Sequence, residues 1–242
     1  MVAQYFGDYV VERELGSGGM GSVYLGRSPS GRAVAIKVIR AEYAEAPQFR
    51  ARFHKEIEAA RRVGGFHTAA VVDADPDAPR PWMASAYIKG PTLAEEVAGR
   101  GPLDEARLRS LGAALAEALK AIHACDLVHR DLKPGNIVLA EDGPRVLDFG
   151  IAQALQDTRL TDPGMVIGTY GFMAPEQATG GRIGPRCDVF ALGAVLVAAA
   201  GGDAFGPGQP AQLLYRVVHA DPRLRSASGP AATGPRLPAQ GP

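Results

Sequence analysis

The sequence predicts an α+β protein of two lobes: an antiparallel sheet lobe carrying one helix, then a mainly helical lobe. Two observations carry this. Residues 9–39 read as successive strands joined by glycine-rich turns, whereas the clearest later segments have apolar residues at helical spacing. Between them, residues 87–91 read as the crossing from one lobe to the other. A chain of 242 residues, 46% hydrophobic and 21% charged, is long enough to bury the core of one large unit or two small lobes. Basic and acidic residues balance at 26 each, so net charge gives no support for nucleic acid or an anionic membrane as partner. Cys125 and Cys187 are too few for a disulfide framework and read as buried, reduced thiols of a cytoplasmic protein. The start of the chain lacks the basic and apolar runs of a signal peptide. The longest uncharged apolar segment, 189–202, is shorter than the roughly 18–20 residues that cross a bilayer.

In chain order, residues 9–15 form a strand that enters a glycine-rich turn, 22–27 return, and 32–39 form a third strand. In that third strand Val34, Ile36 and Val38 share one face, which puts Lys37 on the other with Ala35 and Ile39. Residues 47–63 open at a proline and carry Phe49, Phe53, Ile57 and Ala60 at helical spacing, with Glu56 on the border of the stripe. Residues 104–123 form the clearest helix, through Leu108, Leu111, Leu115, Leu119 and Ile122. Residues 189–200 are apolar all round and predict a fully buried helix. A short helix follows at about 210–219, on Leu213, Leu214, Val217 and Val218. Residues 222–242 contain five prolines, three glycines and no acid, too little apolar surface to offset the ordering entropy, so this tail is expected to be disordered.

The most informative stretch is His129-Arg130-Asp131-Leu132-Lys133-Pro134-Gly135-Asn136, followed by Asp148-Phe149-Gly150. The intervening residues read as a β-hairpin, with Ile137-Val138-Leu139 and Arg145-Val146-Leu147 as strands and Glu141-Asp142-Gly143 as its turn. A hairpin folds back on itself, so Asn136 and Asp148 are expected side by side. An amide oxygen and a carboxylate at one end of a hairpin suit Mg²⁺, which favours hard oxygen ligands and leaves room for phosphate. Asp131 then stands within reach of a hydroxyl approaching that phosphate.

Gly16-Ser17-Gly18-Gly19-Met20-Gly21 matches GxGxxG, in which glycines let backbone N–H groups approach phosphate closely. A dinucleotide-binding turn needs a helix directly afterwards, but Ser22-Val23-Tyr24-Leu25 reads as strand. A P-loop is excluded because Ser22-Val23 stands where Lys-Ser/Thr is required. The remaining bland reading is a flexible hairpin tip. Lys37 sits in an apolar strand, where an unpaired ammonium is costly, and Glu56 offers the matching charge.

The glycine loop, Val34-Ala35-Ile36-Lys37, the His129–Asn136 stretch, Asp148-Phe149-Gly150 and Ala174-Pro175-Glu176 resemble, in order and spacing, the eukaryotic-like protein kinases. The resemblance covers roughly residues 9–220, with the sheet lobe at 9–86 and the helical lobe at 91–220. Lys133 resembles the serine/threonine branch, and the composition looks like bacterial members from high-GC actinobacteria. The resemblance implies ATP and Mg²⁺ (or Mn²⁺) as cofactors and Ser/Thr residues of proteins as substrates. It places Leu15, Gly16, Ser17, Gly18, Gly19, Met20, Gly21, Ser22 and Val23 over the ATP phosphates. Lys37, paired to Glu56, would hold the α- and β-phosphates. Ser85 would guard the back of the adenine pocket, and the backbone of Ala86 to Ile88 would bind the adenine edge. Asp131 would accept the substrate proton, Lys133 would steady the transferred phosphate, and Asn136 and Asp148 would hold the metal. His129 reads as a packing residue. Arg130 would receive a phosphate from the activation segment, residues 148–176, with Thr161 preferred over Thr158 as acceptor and both threonines also readable as plain loop residues. Thr169 would sit beside the substrate hydroxyl. Self-association for phosphorylation between copies is a further expectation.

The pattern departs from the family at its end. The helical lobe is expected to lack its last helices, as a truncated or frame-shifted gene would, and with them the arginine that pairs with the glutamate at Glu176. Glu176 is therefore expected as a buried carboxylate without a partner, and the helix at 189–200 as partly uncovered. Two other readings stay open: a pseudokinase-like fragment that binds nucleotide or a partner with little activity, and a small-molecule phosphotransferase of similar fold.

Overall fold

The computed structural model describes residues 4–18, 21–44, 47–147 and 169–224. The first lobe is a six-stranded antiparallel sheet in the order β1-β2-β3-β4-β6-β5. Its strands are β1 (Tyr5–Phe6), β2 (Tyr9–Gly18), β3 (Gly21–Arg27), β4 (Ala33–Ile39), β5 (Val71–Asp75) and β6 (Trp82–Ala86). The alternation read in β4 holds: Val34, Ile36 and Val38 are at most 1% exposed and pack with Phe6, Trp82 and Ala84 on the outer face. Strands β1, β5 and β6 were not evident from the sequence. A single turn, α1 (Ala41–Ala44), precedes the expected helix α2 (Pro47–Arg62), so this lobe carries one helical turn more than expected. Phe49, Phe53, Ile57 and Ala60 of α2 enter the main core beneath the sheet.

The second lobe contains α3 (Leu93–Arg100), α4 (Glu105–His123), the hairpin β7 (Ile137–Ala140) and β8 (Gly143–Val146), α5 (Pro175–Ala178), α6 (Pro185–Ala199) and α7 (Pro210–His219). Asp104 caps α4 by accepting from the N–H of Arg107, and the Leu111, Leu115, Leu119 and Ile122 stripe is buried in the same core as α2. Helix α3 starts on a capping box, in which Thr92 and Glu95 satisfy each other's backbone N–H. Two sequence expectations need correction here. Helix α6 is partly uncovered, as the departure from the family pattern predicted, rather than fully buried, as its composition alone predicted: Val189 is 61% exposed, because the helix packs through Ala191, Val195 and Ala199. Cys187 is buried but Cys125 is only partly so; both are free thiols. The beginning of the expected tail is tied down, since the Arg223 N–H donates to the Ala204 carbonyl at 2.7 Å. Residues 225–242 lie outside the described residues.

The lobes are sewn together at two places. Val146 of β8 donates to the His67 carbonyl, and Ala69 donates back to Val146, so the segment after α2 pairs with the hairpin of the other lobe. At the crossing, Gly90 lies at φ +142°, and a Cβ there would stand 2.5 Å from the Leu139 carbonyl oxygen. Only glycine allows β7 to approach the crossing this closely. Gly90→Ala is therefore expected to destabilise the protein by about 2–3 kcal/mol, read from urea denaturation. A variant as stable as the parent would show that the crossing can shift without cost.

Candidate active site

Strand β4 sets the upper wall of the cleft. Lys37 lies opposite Val23 of β3 and Met83 of β6, and Ala35 lies opposite Leu25 and Ser85. Directly opposite residues in a sheet share a face, so Lys37, Val23, Ala35 and Ser85 look into the same space. The three described glycines of the loop differ in what holds them. A Cβ on Gly21 would collide with the Val38 carbonyl, so packing against β4 demands a glycine there. Gly16 and Gly18 have nothing within 4 Å of where a Cβ would stand. Packing does not explain those two, whereas close approach of a ligand to the backbone does. Gly19 and Met20 lie outside the described residues.

At the crossing, the Ala86 N–H donates to the Ala70 carbonyl at 2.9 Å and the Tyr87 N–H to the Ala33 carbonyl at 3.4 Å. The Ile88 N–H has no partner among the described residues.

The lower wall is a loop organised by one buried acid. Asp188, in the first turn of α6, is 0% exposed. Its carboxylate accepts from the backbone N–H of His129 and of Arg130, each at 2.8 Å, and lies 2.7 Å from Nε2 of His123. Arg130 is thereby held at φ +64°, in the left-handed region that a side chain disfavours. His129 is 0% exposed; its Nε2 donates to the Leu147 carbonyl at 2.9 Å, which leaves Nδ1 to accept from the Asp131 N–H at 3.3 Å. It is a packing and hydrogen-bonding residue, as read from the sequence.

The bend delivers Asp131, Lys133 and Asn136 to one point. Lys133 Nζ is 2.8 Å from Asp131 Oδ2, and Asn136 Nδ2 donates to the same oxygen at 3.0 Å and to the Asp131 carbonyl at 2.8 Å. With its amide nitrogen committed, Asn136 turns Oδ1 away as an available acceptor. The hairpin closes as expected at its base, where the Leu147 N–H donates to the Asn136 carbonyl at 2.8 Å. Asp148-Phe149-Gly150, Thr158 and Thr161 lie outside the described residues; the backbone of Thr169 opens a short turn ending at Phe172.

The charges between the walls differ from expectation in one respect. No ion pair within 4 Å joins Glu56 to Lys37 among the described residues, and Glu56 Oε2 is buried without a hydrogen-bond partner there. Burial pushes the Glu56 carboxyl from its ordinary 4.5 up to about 7, against the charges of Arg130 first, then Arg52 and Lys37. Nε and Nη1 of Arg130 are likewise buried without a partner among the described residues. The placement of α2 thus leaves Glu56 under the influence of three cations without closing a contact with Lys37. Glu176 is partly rather than fully buried; no arginine pairs with it among the described residues, and the Cys187 thiol donates to its Oε1 at 3.1 Å. Burial, with that carboxylate nearby, pushes the Cys187 thiol up to about 11, so it stays protonated as the donor.

Asp188, His123 and Gln177, whose amide donates to the Arg130 carbonyl at 2.9 Å, were not singled out by the sequence. The available signal was a lone acid opening an otherwise apolar helix.

The model of the family described as protein kinase domain matches residues 9–224. The probable serine/threonine-protein kinase PkwA of Thermomonospora curvata is 55% identical over 219 residues, covering 90% of this chain and 30% of that protein. The serine/threonine-protein kinase AfsK of Streptomyces griseus is 51% identical over 220 residues, covering 90% and 27%. The crystal structure of the Mycobacterium tuberculosis PknI kinase domain aligns with a TM-score of 0.68 at 30% identity, covering 86% of this chain and 80% of that one. This chain therefore spans less than a third of the length of these curated relatives.

The raised Glu56 carboxyl has a stability consequence. The folded state holds a proton that the unfolded chain releases near 4.5, so between pH 4.5 and 7 the folded protein binds more protons and loses stability as pH rises. The loss is on the order of 3 kcal/mol. Glu56→Gln has no such proton to lose. Its melting temperature relative to the parent is expected to rise from pH 5 to about pH 7 and then level off, and a constant difference would remove Glu56 as the cause.

Proposed function

This chain belongs to the protein kinase family, and from that premise we propose that it transfers the γ-phosphate of ATP to serine and threonine hydroxyls of proteins. The observation that carries the reading is the convergence of Asp131, Lys133 and Asn136 beneath a sheet face bearing Lys37. An acceptor hydroxyl placed at Asp131 would give its proton to the carboxylate as the new O–P bond forms. Lys133, already 2.8 Å from that carboxylate, would stabilise negative charge on the transferred phosphoryl group. Lys37 would hold the non-transferred phosphates, and the bare backbone at Gly16 and Gly18 would cover them. The groups supplied for a divalent cation are hard oxygens, Asn136 Oδ1 and the carboxylate of Asp148, which suits Mg²⁺ or Mn²⁺. When bound, the ion neutralises phosphate charge. The Ile88 N–H is the donor for the adenine edge, with Ser85 beside it.

The charge arrangement supports a resting form. Arg130 holds two buried donors without a partner among the described residues, and Glu56 senses Arg130 more strongly than Lys37. A phosphate on Thr161 or Thr158 would give Arg130 charge-assisted partners and release Glu56 to pair with Lys37. Self-phosphorylation between copies would supply that phosphate. The pseudokinase-like reading is disfavoured because Asp131, Lys133 and Asn136 are all present and converge. Cytoplasmic action belongs to the same proposal; no helix among the described residues is long and apolar enough to cross a membrane.

Incubation with labelled ATP, Mg²⁺ and a generic protein acceptor tests this directly. Asp131→Asn is expected to lower phosphate transfer by at least about 100-fold while ATP binding persists. Near-normal turnover in that variant would refute Asp131 as the base.

A further inference from the structure

We propose that Arg40 is a positioning residue for ATP, holding the glycine hairpin in the orientation that receives the phosphates. This rests on the nucleotide-binding reading above. The far end of β2 has little to fix it. Residues 12–18 are exposed, and the last pairs, Ser17 with Ser22 and Gly18 with Gly21, are backbone pairs within the hairpin itself. A Cβ at Gly16 or Gly18 would meet nothing within 4 Å, so no packed neighbour crowds this arm. On the β3 side, Gly21 lies against the backbone of β4, which anchors one arm. On the other arm, Arg27 holds Glu12 at the base, and the tip has one side-chain tether among the described residues: Arg40 Nη2 donates to the Gly18 carbonyl at 2.9 Å.

Arg40 is itself well founded. It follows Ile39, which is fully buried and whose N–H donates to the Pro81 carbonyl at 2.8 Å. The Arg40 carbonyl accepts from Tyr43 and Ala44, starting α1. One residue therefore joins the end of the Lys37 strand, the turn that leads to the Glu56 helix, and the glycine hairpin. A peptide group is planar, and next to a glycine it can rotate as a unit at little steric cost. A guanidinium on the Gly18 carbonyl selects one orientation of that plane. Without it the hairpin would have to be ordered by the ligand, at the expense of affinity.

The test uses the full chain and calorimetric titration with Mg-ATP and, separately, adenosine, which has no phosphates. Arg40→Met keeps the reach of the side chain and removes the donor. ATP is expected to bind about fivefold more weakly, the worth of one exposed hydrogen bond, while adenosine binds within about twofold of the parent. The ATP difference is expected to persist from about 50 to 500 mM salt, because it is not a long-range charge effect. Arg40→Lys, which restores a donor, is expected to recover most of the affinity. Unchanged ATP binding in Arg40→Met, equal weakening of adenosine, or a difference that vanishes in salt would each overturn the proposal. A parent chain that binds adenosine but not ATP would overturn the phosphate-site reading and this role together.

Discussion

The buried carboxylate of Asp188 is the constraint on which the rest of the cleft depends. It sits at 0% exposure, and two backbone N–H groups and His123 surround its oxygens. A buried charge with that many hydrogen bonds is tolerable; without them it would be strongly destabilising. The two N–H groups belong to His129 and Arg130, the residues immediately before Asp131. Holding both forces Arg130 to φ +64°, at a cost of about 1–2 kcal/mol that the charge-assisted bonds offset. The turn aims Asp131 at Lys133 and Asn136. The acid that positions the proposed base lies on a helix more than fifty residues away.

Above this fixed floor the charges are less settled. Glu56 and Arg130 each bury polar atoms that nothing among the described residues satisfies. Such atoms cost of order 1–3 kcal/mol each, so this arrangement stays poised for a group that can satisfy them. In the lower wall Asp131, Lys133 and Asn136 lie within hydrogen-bonding distance of one another, while in the upper wall Glu56 Oε2 has no hydrogen-bond partner among the described residues.

Much of this was legible because it is local. The alternation of Val34, Ile36 and Val38, the stripe of α4, and the hairpin between Asn136 and Leu147 are short-range patterns, and the structure contains all of them. Strands β5 and β6 were missed because small residues and a bulge at Val71/Asp73 break the period of two. Helix α3 carried a readable start signal in Thr92 and Glu95 that went unread. The full burial expected of α6 failed at Val189 because composition does not say which faces find a partner. In the site, the chemical types at Asp131, Lys133 and Asn136 were readable, but their mutual distances were not. The unclosed gap between Lys37 and Glu56 depends on where α2 docks, which no local pattern reports. Asp188 looked like the polar edge of an apolar run, since its role exists only through contacts with a distant loop.

Asp188 shapes the loop that carries the proposed base, and the kinetics of Asp188→Asn test this most directly. Asparagine has nearly the same shape but turns an N–H₂ toward one of the two backbone N–H donors, so the bend at Arg130 cannot be held as before. The account predicts that kcat falls at least about 100-fold while ATP affinity, set by the opposite wall, changes by less than about threefold. A variant that retains the parental kcat would contradict it.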